Sequence, residues 1–146
     1  MTASLDQPYR GGFVGPEHRF ALTVYFEDTD TAGIVYYANY LKFIERGRSE
    51  WLRAAGVDQQ HLLDRARLAF VVRRVEADYL SPARFDDQLE VVTTLEQATG
   101  PRVTVSQVVE RDGKALFRAR VTVVCVDLRT MRPHRLPEAV RAALAG

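Results

Sequence analysis

Apolar and polar residues alternate over residues 19–26, where Phe20, Leu22, Val24 and Phe26 are separated by Ala21, Thr23 and Tyr25. A period of two is typical of a half-buried strand. The preceding residues, 1–17, are rich in glycine and proline and lack any apolar period. We therefore expect an irregular N-terminal leader over 1–17 and ordered structure from residue 18 onward.

The apolar period lengthens after residue 39. Charged residues fill most of the positions between apolar ones, which recur at steps of three and four at Tyr40, Phe43, Ile44, Gly47 and Trp51. This pattern predicts one long amphipathic helix, which ends at Gly56. Asp58 is a suitable N-cap for a short second helix that extends to Ala66.

The rest of the chain is predominantly strand-like. Four alternating runs cover residues 68–80, 88–96, 102–110 and 115–127. Asp112-Gly113, between the last two runs, predicts a hairpin turn, and residues 136–144 are expected to add a last helical turn or two. One strand, two helices and four strands make an α+β arrangement, in which an antiparallel sheet covers the long helix.

Length and composition limit the class of protein. A chain of 146 residues fits one domain, expected here over residues 18–146, and a domain of this size buries roughly 68–70% of its unfolded surface. The net charge of +1 gives no basic bias, so we expect no nucleic-acid partner. The single cysteine, Cys125, excludes an internal disulfide. No apolar run is long enough to span a bilayer, and we expect a soluble cytoplasmic protein.

Two acids, Asp28 and Asp30, lie between the first strand and the long helix. A carboxylate close to the N–H groups of a helix N-terminus is suited to attack on an acyl group. A capping role is the simplest alternative. A calcium loop is disfavoured because Ala32 and Asn39 replace expected ligands, and an Asp-x-Asp phosphatase requires a parallel sheet. We therefore expect neither a metal nor a cofactor.

The segment around these acids resembles the signature of hydroxybenzoyl-CoA thioesterase-like hotdog enzymes. It reads EDTDTAGIVYYANY over residues 27–40. The likeness extends over roughly residues 18–140 to the Tol-Pal-associated acyl-CoA thioesterase branch, through FIERGRSE (43–50), FVVRR (70–74), YLSPAR (79–84), VVCVD (123–127) and RPHRLP (132–137). Many members of that branch have a histidine where this chain has Tyr37.

The resemblance implies a hotdog fold, in which a five-stranded antiparallel sheet wraps around a long central helix. It also implies that Asp30 is the catalytic carboxylate and that the backbone N–H of Tyr37 polarises the thioester carbonyl. Whether Asp30 attacks the carbonyl or activates water is left open by the sequence. Asp28 is expected to be a turn residue.

Substrate contacts are expected at five positions. Gly33 would provide a positive φ or a close approach to the substrate, and Tyr36 would line the acyl pocket. Arg102, Arg132 and Arg135 lie where the family binds the phosphates of CoA, which arginine forks suit.

The expected partners are an acyl-CoA, or an acyl carrier protein thioester, and further copies of the chain. In the resembling family, dimers or tetramers carry active sites between subunits. The alternatives are a non-catalytic acyl-thioester-binding or envelope-associated scaffold and, less favoured, a dehydratase, which would require a histidine near the turn.

Overall fold

The computed structural model describes residues 6–146. The strands are β1 (Gly12–Val14), β2 (Glu17–Thr23), β3 (Leu68–Tyr79), β4 (Gln88–Thr99), β5 (Arg102–Arg111), β6 (Lys114–Asp127) and β7 (Arg132–Pro133). The helices are α1 (Asn39–Ala54), α2 (Gln59–His61) and α3 (Glu138–Ala145), and α2 continues into a π turn, Leu62–Ala66. Across these residues, no helix is long and apolar enough to cross a membrane.

The strands form one antiparallel sheet in the order β1-β2-β4-β5-β6-β3, with β7 beside β6. The predicted α+β class is therefore confirmed, but the predicted number of five strands is wrong, because residues 6–146 form seven. The five longer strands are those that the alternation predicts. β1 and β7 contain only three and two residues; such lengths are too short for a period of two to be recognised.

The irregular leader predicted for residues 1–17 is wrong in its C-terminal part. Gly12–Val14 form β1, which pairs with residues 17–19 of β2, and β2 itself begins at Glu17. Main-chain pairing with β2, rather than an apolar pattern, orders this segment. Residues 1–5 lie outside the described residues.

β2 ends earlier than the alternation predicts. The strand stops at Thr23, and Phe26 begins a 3₁₀ turn, Phe26–Asp28, in which its side chain is 81% exposed. The cause is local, because the Asp28 carboxylate accepts a hydrogen bond from the Tyr25 N–H at 2.8 Å and turns the chain. The turn leads directly into the segment with the second acid.

Helix α1 packs on the sheet through the face that the three-to-four spacing predicts. Tyr40, Phe43, Ile44 and Trp51 are each at most 3% exposed and belong to the main hydrophobic core. Gly47 lies at the centre of this face, where a Cβ would come within 2.5 Å of a Val91 methyl carbon. The glycine therefore permits the helix to approach β4 closely.

A buried polar group joins α1 to the sheet. Gln107 of β5 is fully buried, and its amide nitrogen donates to the Ile44 carbonyl at 2.8 Å and to the Thr93 hydroxyl at 2.9 Å. Arg48, which is only 9% exposed, donates to the Gln107 side-chain oxygen at 2.9 Å. These bonds satisfy polar groups whose burial would otherwise oppose folding.

The two edges of the sheet differ. At the β2 edge, β1 pairs with the strand, and the Tyr9 hydroxyl accepts a hydrogen bond from the Ala21 N–H. β3 forms the opposite edge over twelve residues. Its residues Val72, Val75 and Tyr79 pair with core residues of β6 and share their face of the sheet, yet they are 49%, 39% and 50% exposed. α1 thus leaves part of the apolar face uncovered at this edge.

Candidate active site

The second acid, Asp30, lies in a tight turn between the 3₁₀ turn and α1. The Asp30 N–H donates to the Ile34 carbonyl at 2.9 Å, and the Gly33 N–H donates to the Asp30 carbonyl at 3.0 Å. Gly33 has a φ of +80°, and a Cβ there would meet no atom within 4 Å. The requirement at Gly33 is therefore backbone conformation, and its role in substrate binding stays a prediction.

The Asp30 carboxylate has one engaged and one open oxygen. Oδ1 accepts a hydrogen bond from the Ala32 N–H at 2.8 Å, which is the Asx-turn contact that a purely structural aspartate would make. Oδ2 has no hydrogen-bond or ion-pair partner among residues 6–146, and the side chain lines a groove. The same carboxylate can therefore hold the turn and face a substrate.

Tyr36 and Tyr37 connect this turn to α1. The Tyr36 N–H donates to the Asp28 carbonyl and the Asn39 N–H donates to the Tyr36 carbonyl, at 2.9 and 2.8 Å. α1 begins at Asn39, so Tyr37 lies in the turn immediately before the helix. The Tyr37 N–H has no acceptor in the described part of the chain, which leaves it available to an oxyanion at the positive end of the helix dipole.

Asp30, Tyr36 and Tyr37 line one groove with a volume of about 430 Å³. The remaining lining residues are mostly apolar or aromatic: Ile34, Val35, Tyr40, Tyr79, Leu80, Ser81 and Pro82. The structure thus brings together the predicted carboxylate, the predicted oxyanion donor and the predicted pocket tyrosine. An apolar groove with a few polar groups is the usual form of a small-molecule site.

Residues 79–82 form one wall of the groove, but they are not among the site residues predicted from the sequence. Tyr79 ends β3, and its ring lies 5.0 Å from Phe117 and 5.6 Å from Tyr40, measured between ring centroids. The motif YLSPAR marks this region as part of the resemblance. However, only the folded chain shows that it faces residues 30–37.

The phenols of Tyr40 and Tyr79 are held in their neutral form. Burial raises the pKa of Tyr40, whose oxygen accepts a hydrogen bond from the Ala83 N–H at 3.0 Å. Desolvation also raises the pKa of Tyr79, with nearby tyrosines adding to the effect. Both groups therefore remain protonated throughout the neutral range.

The three predicted arginines do not reach this groove within one chain. Arg102 pairs with Val124, and Arg132 pairs with Asp127 at the same end of β6, where the neighbouring Arg135 is also exposed. Tyr79 pairs with Phe117, seven residues earlier along β6. At about 3.3 Å per residue, Arg102 is roughly 23 Å from the groove along the sheet, and Arg132, whose partner Asp127 lies ten residues from Phe117, is roughly 33 Å from it.

The histidines lie outside the groove. His18 is fully buried in β2, and this burial is the main cause that lowers its pKa. His61 ends α2, and His134 follows β7. Over residues 6–146, no group of three His, Cys, Asp or Glu side chains is arranged to hold a metal ion. The site therefore offers a carboxylate, the Tyr37 N–H, which has no acceptor within residues 6–146, and an apolar wall.

The chain matches the family model for the thioesterase-like superfamily over residues 24–144. It is 44% identical to the acyl-CoA thioesterase YbgC of Haemophilus influenzae over 124 residues, which cover 85% of this chain and 91% of that protein.

Solved structures agree with the fold. A probable thioesterase from Bartonella henselae superposes with a TM-score of 0.78 at 36% identity, over 83% of this chain and 99% of the other. A 1,4-dihydroxy-2-naphthoyl-CoA thioesterase from Synechocystis superposes with a TM-score of 0.81 at 25% identity, over 88% and 96%. The resemblance inferred from the sequence motifs is thus confirmed, and the chain belongs to the thioesterase-like superfamily.

Proposed function

We propose that this protein hydrolyses acyl-CoA thioesters to a free acid and CoA, with Asp30 and the backbone N–H of Tyr37 as its catalytic groups. The observation that carries the proposal is their convergence on one apolar groove, in a chain of the thioesterase-like superfamily. Its relative from Haemophilus influenzae bears the name acyl-CoA thioesterase. A cytoplasmic location and an association with the Tol-Pal system stay predictions.

The geometry is compatible with two routes. In the first, Asp30 takes a proton from a water molecule as the water oxygen bonds to the acyl carbon. In the second, a carboxylate oxygen itself forms that bond, and water later cleaves the resulting anhydride. In both routes the carbonyl electron pair moves onto oxygen, where the Tyr37 N–H stabilises it. The pair then returns as the C–S bond breaks, and CoA leaves as a thiolate.

The chemistry requires little more than these two groups. A thiol has a pKa of roughly 8.5, so the thiolate leaves without a strong acid. One main-chain or side-chain donor to an oxyanion contributes about 2.7–4 kcal/mol to transition-state stabilisation. The groove has the apolar lining that an acyl group requires, and residues 79–82 provide much of it.

The central test is Asp30→Asn. Asparagine retains a side-chain oxygen for the Ala32 N–H, so we expect the turn and the melting temperature to be preserved. The carboxylate is lost, and kcat should fall by two orders of magnitude or more. Thiol release from a panel of short, long and aromatic acyl-CoA esters measures kcat and the acyl preference together.

Asp28→Asn is the matched control, because Asp28 accepts from the Tyr25 N–H and lies outside the groove lining. Near wild-type turnover in Asp30→Asn would contradict the assignment of the carboxylate. A scaffold protein would bind acyl-CoA stoichiometrically and release no thiol catalytically, so the wild-type result separates the enzyme from that alternative.

We also propose that two copies pair through β3, and that dimers assemble further into tetramers. The support is the twelve-residue outer edge of β3, which pairs with no strand within residues 6–146, and the apolar residues exposed beside it. About a two-fold axis, antiparallel pairing places Tyr79 of one copy near the start of the partner's β3. The end of the partner's sheet that carries the arginines lies there, at β6 and β7. It is three strand spacings, or roughly 14 Å, from Tyr79 of the first copy. The arginines would then bind the CoA held by the other copy.

A further inference from the structure

Tyr79 makes a contact that the proposed chemistry does not use. Its hydroxyl donates a hydrogen bond to the carbonyl oxygen of Tyr37 at 2.9 Å, across 42 positions of the sequence. The same ring lies 6.2 Å from the Tyr37 ring and 5.0 Å from Phe117, in edge-to-face arrangements. The hydroxyl therefore reaches the turn from a ring that core aromatics fix in place.

The Tyr37 carbonyl depends on this hydroxyl. In a regular helix it would accept the N–H of Leu41, but that N–H donates to the Ala38 carbonyl at 3.2 Å instead. Within residues 6–146, the Tyr79 hydroxyl is the one hydrogen-bond donor to the Tyr37 oxygen. Removal of the hydroxyl would therefore leave this peptide unit without its anchor.

Two successive peptide planes carry the proposed oxyanion site. The plane between Tyr36 and Tyr37 includes the Tyr37 N–H, and the Asn39 N–H fixes its carbonyl. The plane between Tyr37 and Ala38 is fixed through its carbonyl by Tyr79. Since peptide units are planar, holding both carbonyls leaves little rotation about the Tyr37 Cα. The direction of the Tyr37 N–H follows from the two anchors together.

We propose that Tyr79 is a positioning residue for thioester hydrolysis: its hydroxyl orients the Tyr37 N–H toward the acyl carbonyl, and its ring forms the acyl wall of the groove. This inference rests on the proposed function. Donors that are oriented before the reaction stabilise a developing charge without reorganisation, and small misplacements are costly. Because the pKa of Tyr79 is raised by desolvation, the hydroxyl remains a donor through neutral and mildly alkaline pH.

Tyr79→Phe separates the two roles. The phenyl ring remains, so KM should stay within about twofold of the wild-type value, whereas kcat should fall on the order of tenfold. Tyr79→Leu removes the ring as well, so it should show the same loss in kcat and a raised KM. A purely structural tyrosine would instead lower the melting temperature without this split between kcat and KM.

Tyr9→Phe is the matched control, because the Tyr9 hydroxyl also bonds a main-chain group, the Ala21 N–H, at the far edge of the sheet. We expect its kcat and KM to equal those of the wild type. If Tyr79→Phe retains kcat within twofold, the positioning role is wrong. Should that variant fail to fold, the kcat of Tyr79→Leu decides.

Failure of the proposed function is recognised separately. Wild-type protein without turnover would overturn the proposed function and the role of Tyr79 with it. Asp30→Asn with full turnover would overturn the assignment of the carboxylate alone, because Tyr79 acts on the Tyr37 N–H. If Asp30→Asn is inactive and Tyr79→Phe retains the wild-type kcat, the role of Tyr79 alone is overturned.

Discussion

Gly47 is the residue at which α1 comes closest to the sheet. Two effects oppose each other there on substitution by alanine. Alanine is favoured over glycine in a helix by about 1 kcal/mol. The new Cβ, however, would lie 2.5 Å from a methyl carbon of Val91, a fully buried side chain in a central strand. Overpacking of this kind typically costs about 1–3 kcal/mol.

We therefore expect Gly47→Ala to lower the free energy of unfolding by up to about 2 kcal/mol, despite its better helix propensity. Denaturant unfolding monitored by circular dichroism measures the change. The double variant Gly47→Ala/Val91→Ala should destabilise by less than the sum of the two single variants, because Val91→Ala makes room for the new methyl. A more stable Gly47→Ala would show that the contact relaxes freely.

At the scale of single residues, the sequence predicts the site residues whose partners in the structure lie close to them along the chain. Asp30, Tyr36 and Tyr37 fall within one motif, and the fold places all three at one groove. Tyr79 could not be predicted, because its acceptor lies 42 positions away. The buried hydrogen bond between Arg48 and Gln107 could not be predicted for the same reason. Their hydrogen bond joins a helix to a strand, and no local pattern indicates it.

Strand β3 shows what periodicity can and cannot establish at the scale of elements. The apolar run predicts residues 68–80, and the strand spans Leu68–Tyr79. Asp112 and Gly113 have the positive φ angles, 51° and 79°, that the hairpin prediction requires. However, an alternating pattern does not indicate whether the apolar face is covered by the same chain. Val72 and Val75 lie on the same face as the core residues of β6 but are substantially exposed.

A charge on the exposed apolar face of β3 should therefore weaken association of the chains and leave folding of the single chain intact. Val75→Glu places a carboxylate at a position that is 39% exposed in one chain and that pairing through β3 would cover. We expect a shift from dimer or tetramer toward monomer in sedimentation velocity, because an unpaired charge is expensive to bury. The melting temperature should follow the loss of association.

Val14→Glu introduces the same change on β1, at the other edge of the sheet, where the side chain is 63% exposed. This control should retain the wild-type mass. If Val75→Glu also retains it, the association surface lies elsewhere. A wild-type protein that sediments as a monomer at all concentrations would refute the proposed pairing altogether.

At the scale of the whole molecule, the separation of the arginines from the groove determines where a long substrate can bind. In one chain, roughly 23 Å of sheet separates Arg102 from the groove, and roughly 33 Å separates Arg132 from it. A site completed by a second copy needs Asp30 from one chain and Arg132 from the other. A site shared between two chains and a site formed by one chain alone therefore lead to different predictions for a dimer in which each chain carries one substitution.

Co-expression of Asp30→Asn with Arg132→Ala, each with its own affinity tag, yields the mixed dimer after two purification steps. If the site is shared, one of its two sites combines Asp30 and Arg132 from different chains and is intact. The KM should then equal the wild-type value, and kcat per dimer should be about half. If each chain forms its own site, the one active site lacks Arg132, and KM should match that of the Arg132→Ala homodimer. A mixed dimer of wild type with Asp30→Asn provides the reference, since it retains one intact site under both models.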